Sequence, residues 1–107
     1  MKRFHGKEDF NLAFQGSDQL LVLKHSSTCP ISQVAYEEYE SFANEHEQLP
    51  LYYLIVQEDR PLSNYIAETF KVKHESPQAL LFKNGELAWH ASHWDITYDS
   101  LTKAINK

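Results

Sequence analysis

The stretch Leu20-Leu21-Val22-Leu23-Lys24-His25-Ser26-Ser27-Thr28-Cys29-Pro30-Ile31-Ser32 decides the fold. Leu20 to Leu23 form a continuous apolar run between polar residues, which reads as a strand covered on both faces, as in a parallel sheet. A polar loop, His25-Ser26-Ser27-Thr28, follows it. Cys29-Pro30 then opens a helix whose apolar face carries Ile31, Val34, Ala35, Tyr39 and Phe42. Pro30 suits the first helical position, where its missing N–H is one the helix would leave unpaired.

Working outward, Phe10, Ala13 and Phe14 recur at helical spacing in an opening helix that Gly16-Ser17 ends. Leu51–Val56 is a second buried strand. Leu62, Tyr65, Ile66, Thr69 and Phe70 mark a third helix, with Pro61 at its start. Ala79–Phe82 and Glu86–His90 flank Asn84-Gly85, a strong hairpin signal because both turn positions need positive φ. Asp95 or Thr97 caps a last helix carrying Tyr98, Leu101 and Ile105. The expected order is α-β-α-β-α-β-β-α, an α/β arrangement with a central mixed four-stranded sheet flanked by helices. Two β–α–β crossovers are expected to place the early strands in parallel, and the hairpin to add an antiparallel pair.

The 107 residues fit a single domain, 1–107, large enough to bury a core without staples. At 42% hydrophobic and 23% charged the composition is that of a globular protein. A net charge of −5 offers no footprint for nucleic acid or an anionic membrane surface. The basic start, Met1 to Phe10, has no apolar stretch behind it, as a signal peptide would. No run is long enough to span a bilayer. One cysteine cannot form an internal disulfide, which suits a reducing compartment, and the expected location is cytoplasmic.

That cysteine sits where a loop meets a helix start. Unpaired backbone N–H groups and the positive end of the helix dipole stabilise a thiolate there, and the thiolate is the nucleophile. A small inert core residue is the alternative, and a loop followed by Cys-Pro at a helix start is a poor place to bury one.

Thr28-Cys29-Pro30-Ile31-Ser32 resembles a thioredoxin or glutaredoxin Cys-x-x-Cys site whose second cysteine has become serine. With Glu75-Ser76-Pro77-Gln78 just before the third strand, the chain is similar along essentially its whole length to the monothiol bacilliredoxins of the YtxJ type. The resemblance implies a thioredoxin-like fold and a thiol–disulfide oxidoreductase. Ser32 cannot resolve a mixed disulfide and no other cysteine exists, so resolution must come from outside, most simply from a low-molecular-weight thiol. The implied reaction removes a small thiol from proteins, with S-thiolated cytosolic proteins as partners, bacillithiol as co-substrate and no tightly bound cofactor. The resemblance also implies a cis Pro77, which composition alone does not favour, and a Ser76 backbone that pairs with the bound disulfide partner.

Four points stay open at this level. Ser32 either donates to the Cys29 thiolate or satisfies backbone in the first turn. Lys24-His25 and Lys73-His74 either converge on the thiol, favouring its anion and attracting a carboxylate-bearing small thiol, or are ordinary solvated residues. His90, His93 and Asp95 match a metal site weakly, and surface histidines are the better reading. An iron–sulfur cluster carrier or a redox-silent thioredoxin-like adaptor is the alternative function, although Pro30 and Ile31 replace the glycine and phenylalanine of cluster-sharing monothiol glutaredoxins.

Overall fold

The structure is a computed structural model and describes residues 1–106. Its elements, in chain order, are β1 (Lys2–Arg3), α1 (Gly6–Gln15), β2 (Gln19–His25), α2 (Pro30–Glu45), β3 (Leu51–Ile55), α3 (Arg60–Phe70), β4 (Gln78–Lys83), β5 (Glu86–Ser92), a 3₁₀ turn (His93–Asp95) and α4 (Tyr98–Ile105). The strands form one sheet in the order β1-β3-β2-β4-β5.

β2 is the centre of this sheet, paired in parallel with β3 along one edge and antiparallel with β4 along the other. Alternation along it therefore feeds two cores. Leu21 and Leu23 join Ala35, Tyr39, Phe42 and Leu101 beneath α2 and α4. Leu20 and Val22 join Phe10, Leu54, Leu62 and Ile66 beneath α1 and α3. The continuous apolar run is the signature of a strand with no solvent face.

The structure differs from the sequence expectation in three places. The sheet has five strands, because Lys2 and Arg3 pair with Tyr52 and Tyr53 at the β3 edge. Two charged residues carry no hydrophobic period; what seats them is the next residue, Phe4, buried and stacked on Tyr52 at 4.3 Å. β2 runs on through Lys24 and His25, read above as the approach to a loop, since both residues still have ladder partners on β3. The parallel crossovers are β1–α1–β2 and β2–α2–β3, whereas β4 returns antiparallel to β2. Of the two cap candidates for α4 the structure takes Thr97: Ser100 N donates to Thr97 Oγ1 and Thr97 N to Ser100 Oγ, each at 3.0 Å, a reciprocal capping box.

The Asn84-Gly85 hairpin is formed as expected, with φ of +52° and +82°. Among the described residues no helix is long and apolar enough to cross a membrane. Thr97→Ala should cost about 1 kcal/mol through the lost cap, and Asp95→Ala should stay within about 0.5 kcal/mol. Denaturant midpoints of the two variants check this, and equal losses would reject Thr97 as the cap.

Candidate active site

Ladder register decides which loops meet. Lys24 lies opposite Gln78, His25 opposite Ile55, and Gln78 opposite Ser92. The segments after β2, after β3, before β4 and after β5 therefore leave the same end of the sheet.

Cys29 is at that end. It is the N-cap of α2, with extended backbone (φ −105°, ψ 122°) and Pro30 directly behind it as the first helical residue. Its thiol is free and half-exposed. The Cys29 carbonyl accepts from Gln33 N at 3.1 Å, so the cysteine is bound into the helix through its backbone.

Ser32, one turn into α2, is completely buried. Its Oγ accepts from the Ser26 N–H at 2.8 Å and lies 2.9 Å from His25 Nδ1. Through these contacts the hydroxyl satisfies the Ser26 backbone and ties the loop and the end of β2 to α2. His25 is only 8% exposed, packed against the Tyr36 ring at 4.7 Å. Burial pushes its imidazole below the ordinary histidine range, partly opposed by the bond with Ser32.

The loop has a second fastening that the sequence did not announce. Gln57, two residues beyond β3, accepts from Ser27 N at 3.1 Å and donates to Ser26 Oγ at 2.6 Å and Thr28 Oγ1 at 3.0 Å. A lone glutamine after a strand has no local pattern, so only the folded loop reveals it.

Pro77 is buried and the Ser76–Pro77 bond is cis, as the resemblance implied. The Pro77 carbonyl accepts from His93 N at 3.1 Å, and the His93 ring pairs with Glu75 at 3.5 Å. The turn after β5 thereby latches onto the loop before β4. Trp94 in the same turn is 65% exposed.

The two Lys-His pairs do not make one cluster around the thiol. Adjacent strand residues face opposite sides, so His25 turns toward Ser32 and Lys24 toward α3. Lys24 is fully buried, and its Nζ donates to Ser63 O at 3.0 Å and to His74 Nδ1 at 3.2 Å. It cannot meet a carboxylate from solvent, which corrects the expectation that it binds the small thiol. Lys73 and His74 are exposed at the loop surface. Burial lowers the Lys24 pKa to about 8.

A family model described as monothiol bacilliredoxin BrxC matches residues 2–101. The chain belongs to the monothiol bacilliredoxin family. A solved thioredoxin-fold structure whose protein is proposed to be an oxidoreductase is 45% identical to this bacilliredoxin, with a TM-score of 0.91 over 96% of this chain and 91% of that one. Thioredoxins of Plasmodium falciparum (14% identical, TM-score 0.79) and Fasciola hepatica (15%, 0.80) share its fold, each over 99% of this chain and 97% of theirs. The bacilliredoxin is thus a thioredoxin-fold thiol–disulfide oxidoreductase, and Ser32 occupies the position a second cysteine would hold in a dithiol site.

Two outcomes follow from this geometry. Ser32→Ala strands the Ser26 N–H and a His25 ring nitrogen, and should cost about 1–3 kcal/mol in denaturant unfolding; an unchanged midpoint would remove Ser32 as the brace. For Lys24, the unfolded side chain keeps its proton up to pH 10.5 and the folded one only to about 8. Between those values the unfolded state binds the extra proton, so stability rises with pH, by up to about 3 kcal/mol at ~1.4 kcal/mol per pKa unit. The difference between wild type and Lys24→Met, followed by denaturation from pH 7 to 9.5, should shift in favour of wild type; a flat difference would contradict the burial argument.

Proposed function

We propose that this bacilliredoxin removes a low-molecular-weight thiol, bacillithiol, from mixed disulfides on cytoplasmic proteins, with Cys29 as nucleophile and the chain acting as one domain. The observation that carries this reading is the pairing of a lone, half-exposed thiol at the α2 N-cap with a Ser32 hydroxyl committed to Ser26 and His25. Nothing within the chain can resolve a disulfide on Cys29, because the sequence holds one cysteine.

The cycle has two exchanges. The Cys29 thiolate, stabilised by the N–H groups of the first turn of α2, attacks the small-thiol sulfur of the mixed disulfide. The target leaves as a thiolate and takes a proton from solvent. A second small-thiol molecule, as its thiolate, then attacks the small-thiol sulfur on Cys29. The symmetric small-thiol disulfide departs and the Cys29 thiolate is restored.

The neighbouring residues divide the remaining work. Pro30 starts the helix without placing an N–H of its own there, and Thr28, held by Gln57, sets the approach to the thiol. The Ser76 backbone, presented beside cis-Pro77, would pair with the bound disulfide partner, and Lys73 and His74 lie exposed in the same loop. A reducing cytoplasm keeps such a thiol available.

An intact-mass time course tests the proposal. Reduced protein is mixed with a bacillithiol-modified test protein, with a glutathione-modified control and a Cys29→Ala variant alongside. The expected result is transfer of the bacillithiol mass to Cys29, restoration of the target's thiol, slower reaction with the glutathione adduct and no transfer by the variant. Transfer to neither adduct would reject de-thiolation; equal rates would reject bacillithiol as the preferred thiol.

A further inference from the structure

Lys24 is a completely buried cation on the central strand, and among the described residues no carboxylate pairs with it. Such a group is expensive to bury, and an apolar side chain of similar volume would pack there at lower cost. Its value must therefore lie in what it touches.

An ammonium has only donors. Its two hydrogen bonds go to the Ser63 carbonyl and to His74 Nδ1, so Nδ1 must be the unprotonated, accepting nitrogen of that ring. The neutral imidazole then carries its proton on Nε2. Ser63 Oγ, 3.2 Å from the same Nδ1, lies on the same inner edge of the ring. Nε2 is on the opposite edge, and His74 is exposed.

The backbone around His74 is held from the same place. Gln78, opposite Lys24 in the β2–β4 ladder, is buried and donates from Nε2 to the Lys73 carbonyl at 3.0 Å. Two facing strand residues thus fix two consecutive residues of the loop that leads to Pro77. The charged groups acting on His74 are Lys24 from β2, Arg60 from α3 and Glu75 beside it in the loop. Burial, then Lys24 and Arg60, push His74 below its ordinary range, and Glu75 opposes them. Burial, with the two cations behind it, thus disfavours the protonated ring, and one carboxylate opposes them.

We propose that Lys24 is a positioning residue that locks His74 in its Nε2–H tautomer, so that the loop before Pro77 offers a fixed N–H donor to a carboxylate of the small thiol. This rests on the reading that a carboxylate-bearing small thiol is exchanged at this end of the sheet. A neutral donor of this kind works the same way across neutral pH, unlike a histidine free to titrate. Arg60 and Lys73, both exposed, supply charge nearby.

Long-range ¹H–¹⁵N NMR of the imidazoles reads the tautomer directly. At pH 7 the wild-type His74 should be predominantly Nε2–H. Lys24→Met should admit the Nδ1–H form, which can donate to Ser63 Oγ, and should let His74 protonate at higher pH. The wild-type protein carries the same test without substitution: loss of the Lys24 proton above about pH 8 should relax the tautomer ratio. A wild-type ring already in the Nδ1–H form, or a ratio unmoved both by pH and by Lys24→Met, would overturn the lock.

Kinetics then test the donor. Lys24→Met and His74→Ala should each raise KM for free bacillithiol about tenfold, as expected for a hydrogen bond to a charged group, with the change in KM rather than kcat. The double variant should be no worse than His74→Ala alone, because Lys24 acts through His74. An additive loss would show Lys24 acting elsewhere and overturn the proposal, as would an unchanged KM in His74→Ala. Absence of turnover in wild type would instead sink the de-thiolation reading, and with it the assigned ligand, while the tautomer would still be decided by NMR.

Discussion

Everything at the active end depends on β2 being hydrogen-bonded along both edges. A strand so placed has no solvent face, and its side chains must alternate between two covered layers until it ends. Leu20 to Leu23 satisfy this with apolar groups, but Lys24 and His25 keep ladder partners and are also enclosed. Buried polar groups need partners. The last turn of β2 therefore cannot be arbitrary: each of these two side chains requires a specific polar group on the helix layer it faces.

Those requirements organise the loops. His25 meets Ser32 on the α2 side, and Ser32 in turn holds Ser26, which fixes the path of the chain into Cys29. Lys24 meets Ser63 and His74 on the α3 side, which fixes the loop that leads into cis-Pro77. One strand end thus anchors the loop into Cys29 and the loop before Pro77, from opposite faces of the sheet. Gln57 and the turn at His93 complete the frame from the remaining two loops.

The arrangement also explains why this site works with one thiol. The position one turn after the nucleophile is inside the protein, and its hydroxyl has structural partners on β2 and in the loop. In a dithiol enzyme that position supplies the resolving sulfur. Here it braces the loop that leads into Cys29, and in the proposed cycle an external thiol would carry out resolution. The half-exposed sulfur at a helix N-cap remains accessible to a small nucleophile.

Most of the fold was legible because it is written in local patterns: the apolar run of β2, the Pro30 and Pro61 helix starts, the Asn84-Gly85 turn, and the periodic faces of α2 and α3. The lone Cys29 before Pro30, with Ser32 one turn on, likewise marked the site and its monothiol character. Short-range chemistry suffices for such features, since propensity, capping and turn geometry involve residues close in the chain. The β1 edge strand, the antiparallel return of β4, the Gln57 clamp and the opposite orientations of Lys24 and His25 were not legible. Each depends on a partner brought near only by folding: Tyr52 for Lys2, Lys24 for Gln78, Gln57 for Ser26 and Thr28, Ser63 and His74 for Lys24. The amino-acid order by itself determined that a single thiol would open a helix at the end of a buried strand. Only the tertiary structure decided that Lys24 is sealed beneath the sheet while Lys73 and His74 stay exposed, because strand alternation and burial act through neighbours that lie far away in sequence.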